Sequence, residues 1–494
     1  MKSFGTEGEG FSRPARPCSR AALGAAIIST FSVLVGGALP ALAGAPPKSS
    51  VEVSYHKKIW PILQAKCQGC HQPASPGGKL VVTTFSGFLK GGEHGAAIVS
   101  GKPDASPVLD YLTGKKTLMP KGGPPLPPAD IALIRQWIRE GARDDTPTVK
   151  DPIDAKHPPV YAAPPVVTAL AYSPDGVVLA VSGYREILIH HADGSGLIGR
   201  LVGNSQKIQS IVYSTDGKMM AAVGGSPARF GEAQFWDTAT GALIKSVPEG
   251  FDTLFGAALS PDGKELSFGG ADNSVRVITA PDGKEIMRLD NHSDWVLTTA
   301  FSTDGKNVLS AGRDQAVKLT LVEGGSFVDD INTHTTAIRA MAKNPKADQV
   351  LVAGDDGLPR LYQIFRTKPR TMNQEDHNLL RVYEKQPGVA TAVAFSKDGA
   401  LIAVGSEAGI VNVYKTDNGG PAESDKPVIG GKALAVLTGA RGTIFTIAFR
   451  PDGQQVATAG MDGFVRIYAL PSGTLLKSFV PVPIRPATVR AARK

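Results

Sequence analysis

Hydrophobic and polar positions follow three different rhythms along this 494-residue chain. Residues 21–39, AALGAAIISTFSVLVGGAL, are apolar almost without a break. Residues 51–141 carry apolar positions at helical spacing, separated by Gly and Pro loops. In ADIALIRQWIREG, Ile131, Ile134, Trp137 and Ile138 share one helical face, charges share the other, and Gly141 stands just past the end as a C-cap. A first helix over residues 52–66 brings Val53, Ile59, Ile62 and Leu63 into the stretch AKCQGCHQP. A shorter helix over 105–112 is expected to start on Asp104 as its cap. These elements predict a small all-helical domain without strands.

After residue 165 the rhythm changes to alternation, and the text repeats. SPDG at Ser173 recurs as STDG at Ser214, SPDG at Ser260, STDG at Ser302, a degraded NPKAD at Asn344, SKDG at Ser396 and RPDG at Arg450. Counted on Asp175, Asp216, Asp262, Asp304, Asp348, Asp398 and Asp452, the spacings are 41, 46, 42, 44, 50 and 54. Each turn lies between two alternating runs, as in VTALAYSPDGVVLAVSG, and a third strand follows, as in SVRVITA or FVRIYAL. Four short strands in each unit of forty-odd residues is the period of a propeller blade, so seven units predict an all-β seven-bladed propeller. This half of the chain, residues 166–481, resembles WD-repeat proteins in rhythm more than in signature residues. Phe235-Trp236-Asp237 holds the name-giving dipeptide, whereas the usual Gly-His pair is reduced to isolated candidates such as His292 and His334. Because SGTLLKSFV at 472–480 matches TGALIKSV at 240–247, the seventh unit is expected to own its outer strand. Ring closure then falls to packing or to pairing by residues 160–163.

Composition adds an address. Arg13, Arg16 and Arg20 precede the apolar run and Ala41-Leu42-Ala43 follows it, a secretory signal layout with cleavage expected after Ala43. Removing residues 1–43 takes away Lys2, Arg13, Arg16, Arg20, Glu7, Glu9 and Cys18, so the formal charge falls from +8 to +6. The expected location is the periplasm, with no stable membrane insertion after cleavage. Scattered basic residues and that address argue against nucleic acid as a partner. Six prolines among charges at 142–165 read as a stiff linker. The expected map is a signal at 1–43, a helical domain at 51–145, a linker at 146–165, a propeller at 166–481 and a basic tail at 482–494.

Cys67, Cys70 and His71 admit three chemistries. Structural zinc needs four ligands, and no further cysteine exists after residue 70. A thioredoxin-like disulfide needs the motif between a strand and a helix, yet here it follows a helix. Covalent haem explains every element: two thiols reach the two vinyl groups and the next histidine meets the iron. The expected cofactor is one covalent haem c. For the sixth position on the iron, residues 51–141 offer Met119, in the proline-stiffened KTLMPKGGPPLPP, and the histidines His56 and His94. His56 lies on the helix leading into the motif, and His94 sits in the loop GGEHGA.

IWPILQAKCQGCH, GKPDASPVLDYL and LMPKGGPPLPPADIALIRQWIREGA together resemble the planctomycete-type cytochrome c domain. The resemblance implies that Cys67 and Cys70 hold the haem, that His71 is the proximal ligand and that Met119 is the distal one. It also implies that Trp137 packs near the haem edge. A six-coordinate haem leaves no open place for substrate, so the expected function is electron transfer, with the propeller docking a redox partner protein. The alternative is a periplasmic oxidoreductase whose propeller holds a second cofactor or a substrate site, a layout similar to haem nitrite reductases and quinoprotein dehydrogenases. Against it, His190, His191, His292, His334 and His377 form no ligand-like cluster. Two insertions are candidate partner sites: the fifth-to-sixth connection with Arg366, Lys368 and Arg370, and the sixth-to-seventh connection NGGPAESDKPVIGG.

Overall fold

The computed structural model describes residues 52–72, 75–146, 153–332, 336–366, 378–417 and 427–485. The expected signal segment, the last nine residues of the expected basic tail, and His334, Lys368, Arg370 and His377 lie outside them. Among the described residues no helix is long and apolar enough to cross a membrane.

The helical part is built from α1 (Trp60–Lys66), α2 (Phe85–Lys90), α3 (Pro107–Leu112) and α4 (Pro128–Arg139). A wide turn at Tyr55–Ile59 leads into α1, and the Ser54 hydroxyl caps it by accepting the Lys57 N–H. Their apolar faces meet in one core containing Tyr55, Ile59, Leu63, Phe88, Ile134 and Trp137. Two expectations change here. Asp104 caps nothing; it pairs with Arg135 of α4, while Pro107 opens α3 at a position where a missing N–H costs little. Nor is the domain strandless, since His71–Gln72 pairs antiparallel with Ser75–Pro76.

Seven antiparallel sheets follow, at residues 170–202, 207–248, 254–289, 296–330, 338–382, 390–437 and 444–479, here blades 1 to 7. Within each blade the strands pair in chain order from the first outward, as the alternating runs predict. Cores such as Ala221, Val223, Phe235, Leu254, Leu266 and Phe268 form where one blade packs on the next.

The repeated turn owes its sequence to a small hydrogen-bond set. In blades 1, 2, 3, 4 and 6 the Ser hydroxyl bonds the turn aspartate at 2.5–2.7 Å, and that carboxylate also accepts a backbone N–H two residues on. The following Gly has φ near +72° in these turns, which is why Gly recurs. Blade 5 departs from the expected register. Asn344 takes the place of Ser and accepts the Lys346 N–H, while Asp348 bonds Thr303 of the blade 4 turn. Asp348 therefore links two blades and is not the turn aspartate.

Serine and backbone donors hold the carboxyls of Asp175, Asp216, Asp262, Asp304 and Asp398 below their ordinary value. A depressed folded pKa stabilises fully above the unfolded value of about 3.9 and is lost as pH falls through the folded value. Propeller stability should thus be flat from neutral pH to about 5 and drop below about 4. Denaturant midpoints measured across that range check it, and Ser260→Ala should shrink the drop.

Closure uses both routes that the sequence left open. Blade 7 owns its outer strand, Leu475–Phe479, so no strand is exchanged between the ends of the ring. Blades 1 and 7 share a core of Val167, Leu170, Leu188, Ala457, Val465 and Ile467. Across it, Tyr161 forms a parallel bridge with Ile484, and Arg485 donates its N–H to the Tyr161 carbonyl at 2.9 Å. The buried Tyr161 hydroxyl donates to Glu186 at 2.6 Å and accepts the Tyr184 N–H, and Arg200 pairs with the same carboxylate. Arg200 also bonds the Pro159 carbonyl, so residues 159–161 of the proline-rich stretch are bonded into the propeller. Tyr161→Ala should lower propeller stability by about 3–5 kcal/mol, the cost of removing a large buried ring, as read by denaturant unfolding.

Both insertions lie inside blades. The one holding Arg366 joins the third and fourth strands of blade 5, and the other joins the same strands of blade 6 and sends Val428–Ile429 to pair with the outer strand of blade 5. Arg366 is occupied internally, by Asp329 at 2.5 Å and the Asp330 carbonyl.

Candidate functional site

Helix α1 ends at Cys67, whose N–H bonds the Leu63 carbonyl, because the next residues wind into a tight turn. The N–H groups of Cys70 and His71 both reach the Cys67 carbonyl, at 3.3 and 3.1 Å. That turn brings the two thiols and the imidazole to one end of the helix. Both cysteines are free: Cys67 is half-buried against the helical core, and Cys70 is exposed. Burial, with the neighbouring Cys70, pushes the Cys67 thiol up to about 11.

His71 is held by its backbone. Its carbonyl accepts the Val82 N–H at 2.9 Å and its strand pairs with residues 75–76. Among the described residues no hydrogen bond holds the ring, and its Nδ1 is buried with no partner. Such orphaned atoms are rare and call for an explanation. Tyr55 and Gln68 nearby in sequence each leave a buried polar oxygen in the same state.

Met119 follows α3, half-buried, with its N–H on the Tyr111 carbonyl at 3.1 Å. The exposed Leu118 stands beside it. Neither spare histidine is buried: His56 is exposed on the turn before α1, and His94 is solvated beside Glu93. Trp137 lies wholly inside the helical core, stacked on Phe88 with ring centroids 6.3 Å apart, and its indole N–H donates to the Arg143 carbonyl. That bond and the one from the His56 N–H to Asp145 tie residues 143–145 to the helices.

The propeller histidines that are described have structural partners or face solvent. His190 bonds the Pro481 carbonyl at 2.9 Å, and His191 is exposed. His292 is buried between Asp314 and Ser310, each at 2.8 Å, pinning the second strand of blade 4 and the turn that follows it to the loop before the blade. Among the described residues no group of three or more His, Cys, Asp or Glu is arranged to hold a metal ion. Two free thiols and an imidazole with an unpartnered nitrogen are the donor set that a covalently attached haem takes, so the residues fit that group. Sequence reasoning missed Gly77, where an added Cβ would touch the ring at 3.4 Å; its signal is the Gly77-Gly78 pair after the motif.

Two family profiles match the chain. "Planctomycete cytochrome C" covers residues 67–123, which includes Cys67, Cys70, His71 and Met119. "WD domain, G-beta repeat" covers residues 283–320, 378–415 and 431–469, each spanning an outer strand and the inner strands of the next blade, or part of such a set. WD repeat-containing protein VIP3 of Arabidopsis thaliana is 26% identical over 141 residues, 26% of this chain and 43% of that protein. An uncharacterized WD repeat-containing protein of Synechocystis is 25% identical over 100 residues, 20% of this chain and 28% of its own length. The tRNA (guanine-N(7)-)-methyltransferase non-catalytic subunit of Caenorhabditis elegans is 31% identical over 104 residues, 21% of this chain and 23% of its own. The chain thus spans less than half the length of these curated relatives. With residues 67–123 of the helical part matched by one profile and three stretches of the seven sheets by the other, the chain carries a planctomycete cytochrome C domain followed by WD40 repeats that form a seven-bladed β-propeller.

Proposed function

We propose that this protein is a periplasmic c-type cytochrome that transfers electrons through one covalent haem, with the propeller docking its redox partner. Cys67 and Cys70 would hold the haem covalently, and His71 and Met119 would hold its iron. The observation that carries this reading is the buried, unpartnered His71 Nδ1 beside two free thiols. Inside the cytochrome C match, His71 and Met119 supply the nitrogen and thioether of such a site.

A bound haem would supply one-electron exchange. The chain's own residues position and shield. The turn at residues 67–71 presents both thiols from the end of a helix, and the Val82 N–H and the strand pairing hold the His71 backbone in place. Cys70 is exposed and open to an incoming cofactor, whereas Cys67 is half-buried against the helical core and its thiol is pushed up to about 11 by burial. In the propeller, His190 and His292 are committed to structural bonds, which favours a scaffold over a second redox centre. One relative is by name a non-catalytic subunit, a role of the same kind. Delivery across the inner membrane by residues 1–43 completes the reading, since the attachment takes place outside the cytoplasm.

Expression in a host that attaches haem should give a coloured protein with one haem per chain by mass and by pyridine haemochrome. Its reduced spectrum should not change under carbon monoxide. A protein that binds carbon monoxide readily has an open iron, and catalysis or sensing would replace electron transfer.

A further inference from the structure

We propose that Gly77 is a positioning residue for the His71 imidazole, its missing side chain setting where the ring stands and so tuning the potential of the site. The inference rests on the haem reading above. A Cβ built on Gly77 would stand 3.0 Å from the Cys70 carbonyl oxygen, 3.4 Å from His71 Cε1 and 3.6 Å from His71 Nδ1. The carbonyl cannot yield, because it accepts the Gly77 N–H at 2.9 Å. The His71 backbone cannot yield either, fixed by its N–H to the Cys67 carbonyl, by the Val82 N–H and by the strand pairing with Pro76.

What remains free to move is the ring. With Nδ1 buried and unpartnered, no hydrogen bond from it restores the ring's orientation, and a methyl at residue 77, crowded by the Cys70 carbonyl at 3.0 Å, would be pressed onto the Cε1–Nδ1 edge that it touches at 3.4 and 3.6 Å. Outer-shell hydrogen bonds ordinarily orient a metal-bound imidazole; among the described residues none reaches the His71 ring, which leaves its orientation to packing. Gly77 is not among the residues with positive φ, so alanine adds steric pressure without backbone strain, unlike at Gly78 with φ +60°. Gly69 supplies the internal control: it lies between the two cysteines, and a Cβ there meets nothing within 4 Å.

The test compares full-length haem-loaded wild type, Gly77→Ala and Gly69→Ala by mass, midpoint potential and low-temperature EPR. Both variants should keep the covalent haem. Gly77→Ala should shift the potential and the g-values, and Gly69→Ala should leave both at the wild-type position. Equal potentials and g-values in Gly77→Ala and wild type overturn the role of Gly77 and leave the haem reading standing. A wild-type chain without covalent haem overturns the haem reading itself. Should Gly77→Ala alone fail to take up haem, the ring is read in the unloaded full-length chains, with thiols reduced, by the His71 Cε1–H resonance assigned against His71→Asn. That resonance should move in Gly77→Ala and stay in Gly69→Ala; an unmoved resonance overturns the proposal.

Discussion

The double variant Cys67→Ala/Cys70→Ala should emerge from a haem-attaching host as a full-length, colourless protein with a folded propeller. On the proposed reading both covalent bonds to the cofactor come from these two thiols, and Cys18 is the one other cysteine of the chain, inside the expected signal. Colour should fall to the background of the host. Each single variant keeps one thioether and some colour, with its pyridine haemochrome band moved to the red because one vinyl group stays conjugated. The propeller should be indifferent, since Cys67 packs on the helical core while the blades are held by their own clusters. The helical part should not be indifferent. Among the described residues its core cluster holds fourteen buried apolar side chains, a small core for about ninety residues. Without the large apolar body of the cofactor it should melt earlier and separately, which calorimetry resolves as two transitions. A coloured double variant would show that the pigment is held elsewhere.

How much of this could be read from the chain depends on the range of the interaction that fixes each feature. The blade rhythm was legible because Ser, Asp and Gly satisfy one turn within five residues: hydroxyl to carboxylate, carboxylate to backbone N–H, Gly at φ near +72°. Where one blade substitutes Asn344 and Lys346 for Ser and Asp, the local code misleads, and Asp348 takes a partner from another blade. Closure at Tyr161 depends on Glu186, Arg200 and Ile484, three positions far apart in sequence and without a common period. The residues 159–161 read as linker for the same reason: proline content describes stiffness and says nothing of what a segment packs on. Likewise α2 is a single short helix capped by Thr84, too brief for a periodic signal. At the site, Cys67, Cys70 and His71 were legible because the chemistry demands that spacing. Gly77 was not, because its role comes from an empty volume beside the ring that no residue pattern encodes.

Met119→Ala should lower the midpoint potential and open the iron to carbon monoxide, and on this the electron-transfer reading stands or falls. Met119 is the sole methionine between residues 51 and 141, it falls inside the cytochrome C match, and its backbone is anchored to Tyr111 just ahead of two prolines and two glycines within five residues. A thioether stabilises reduced iron, so its loss should cost on the order of 0.1–0.3 V, within the ~0.8 V range that axial ligands command. The weak far-red sulfur-to-iron band of the oxidised protein should vanish in the same variant. Met119→His should restore six-coordination, shut out carbon monoxide and keep the potential low. His94→Ala is the counter-test: His94 is solvent-exposed beside Glu93, so its removal should change neither spectrum nor potential. The opposite pattern, with Met119→Ala silent and His94→Ala altering both, would make His94 the ligand. It would require the loop at 91–95 to leave the position in which the Glu93 N–H bonds the Gly78 carbonyl at 2.8 Å.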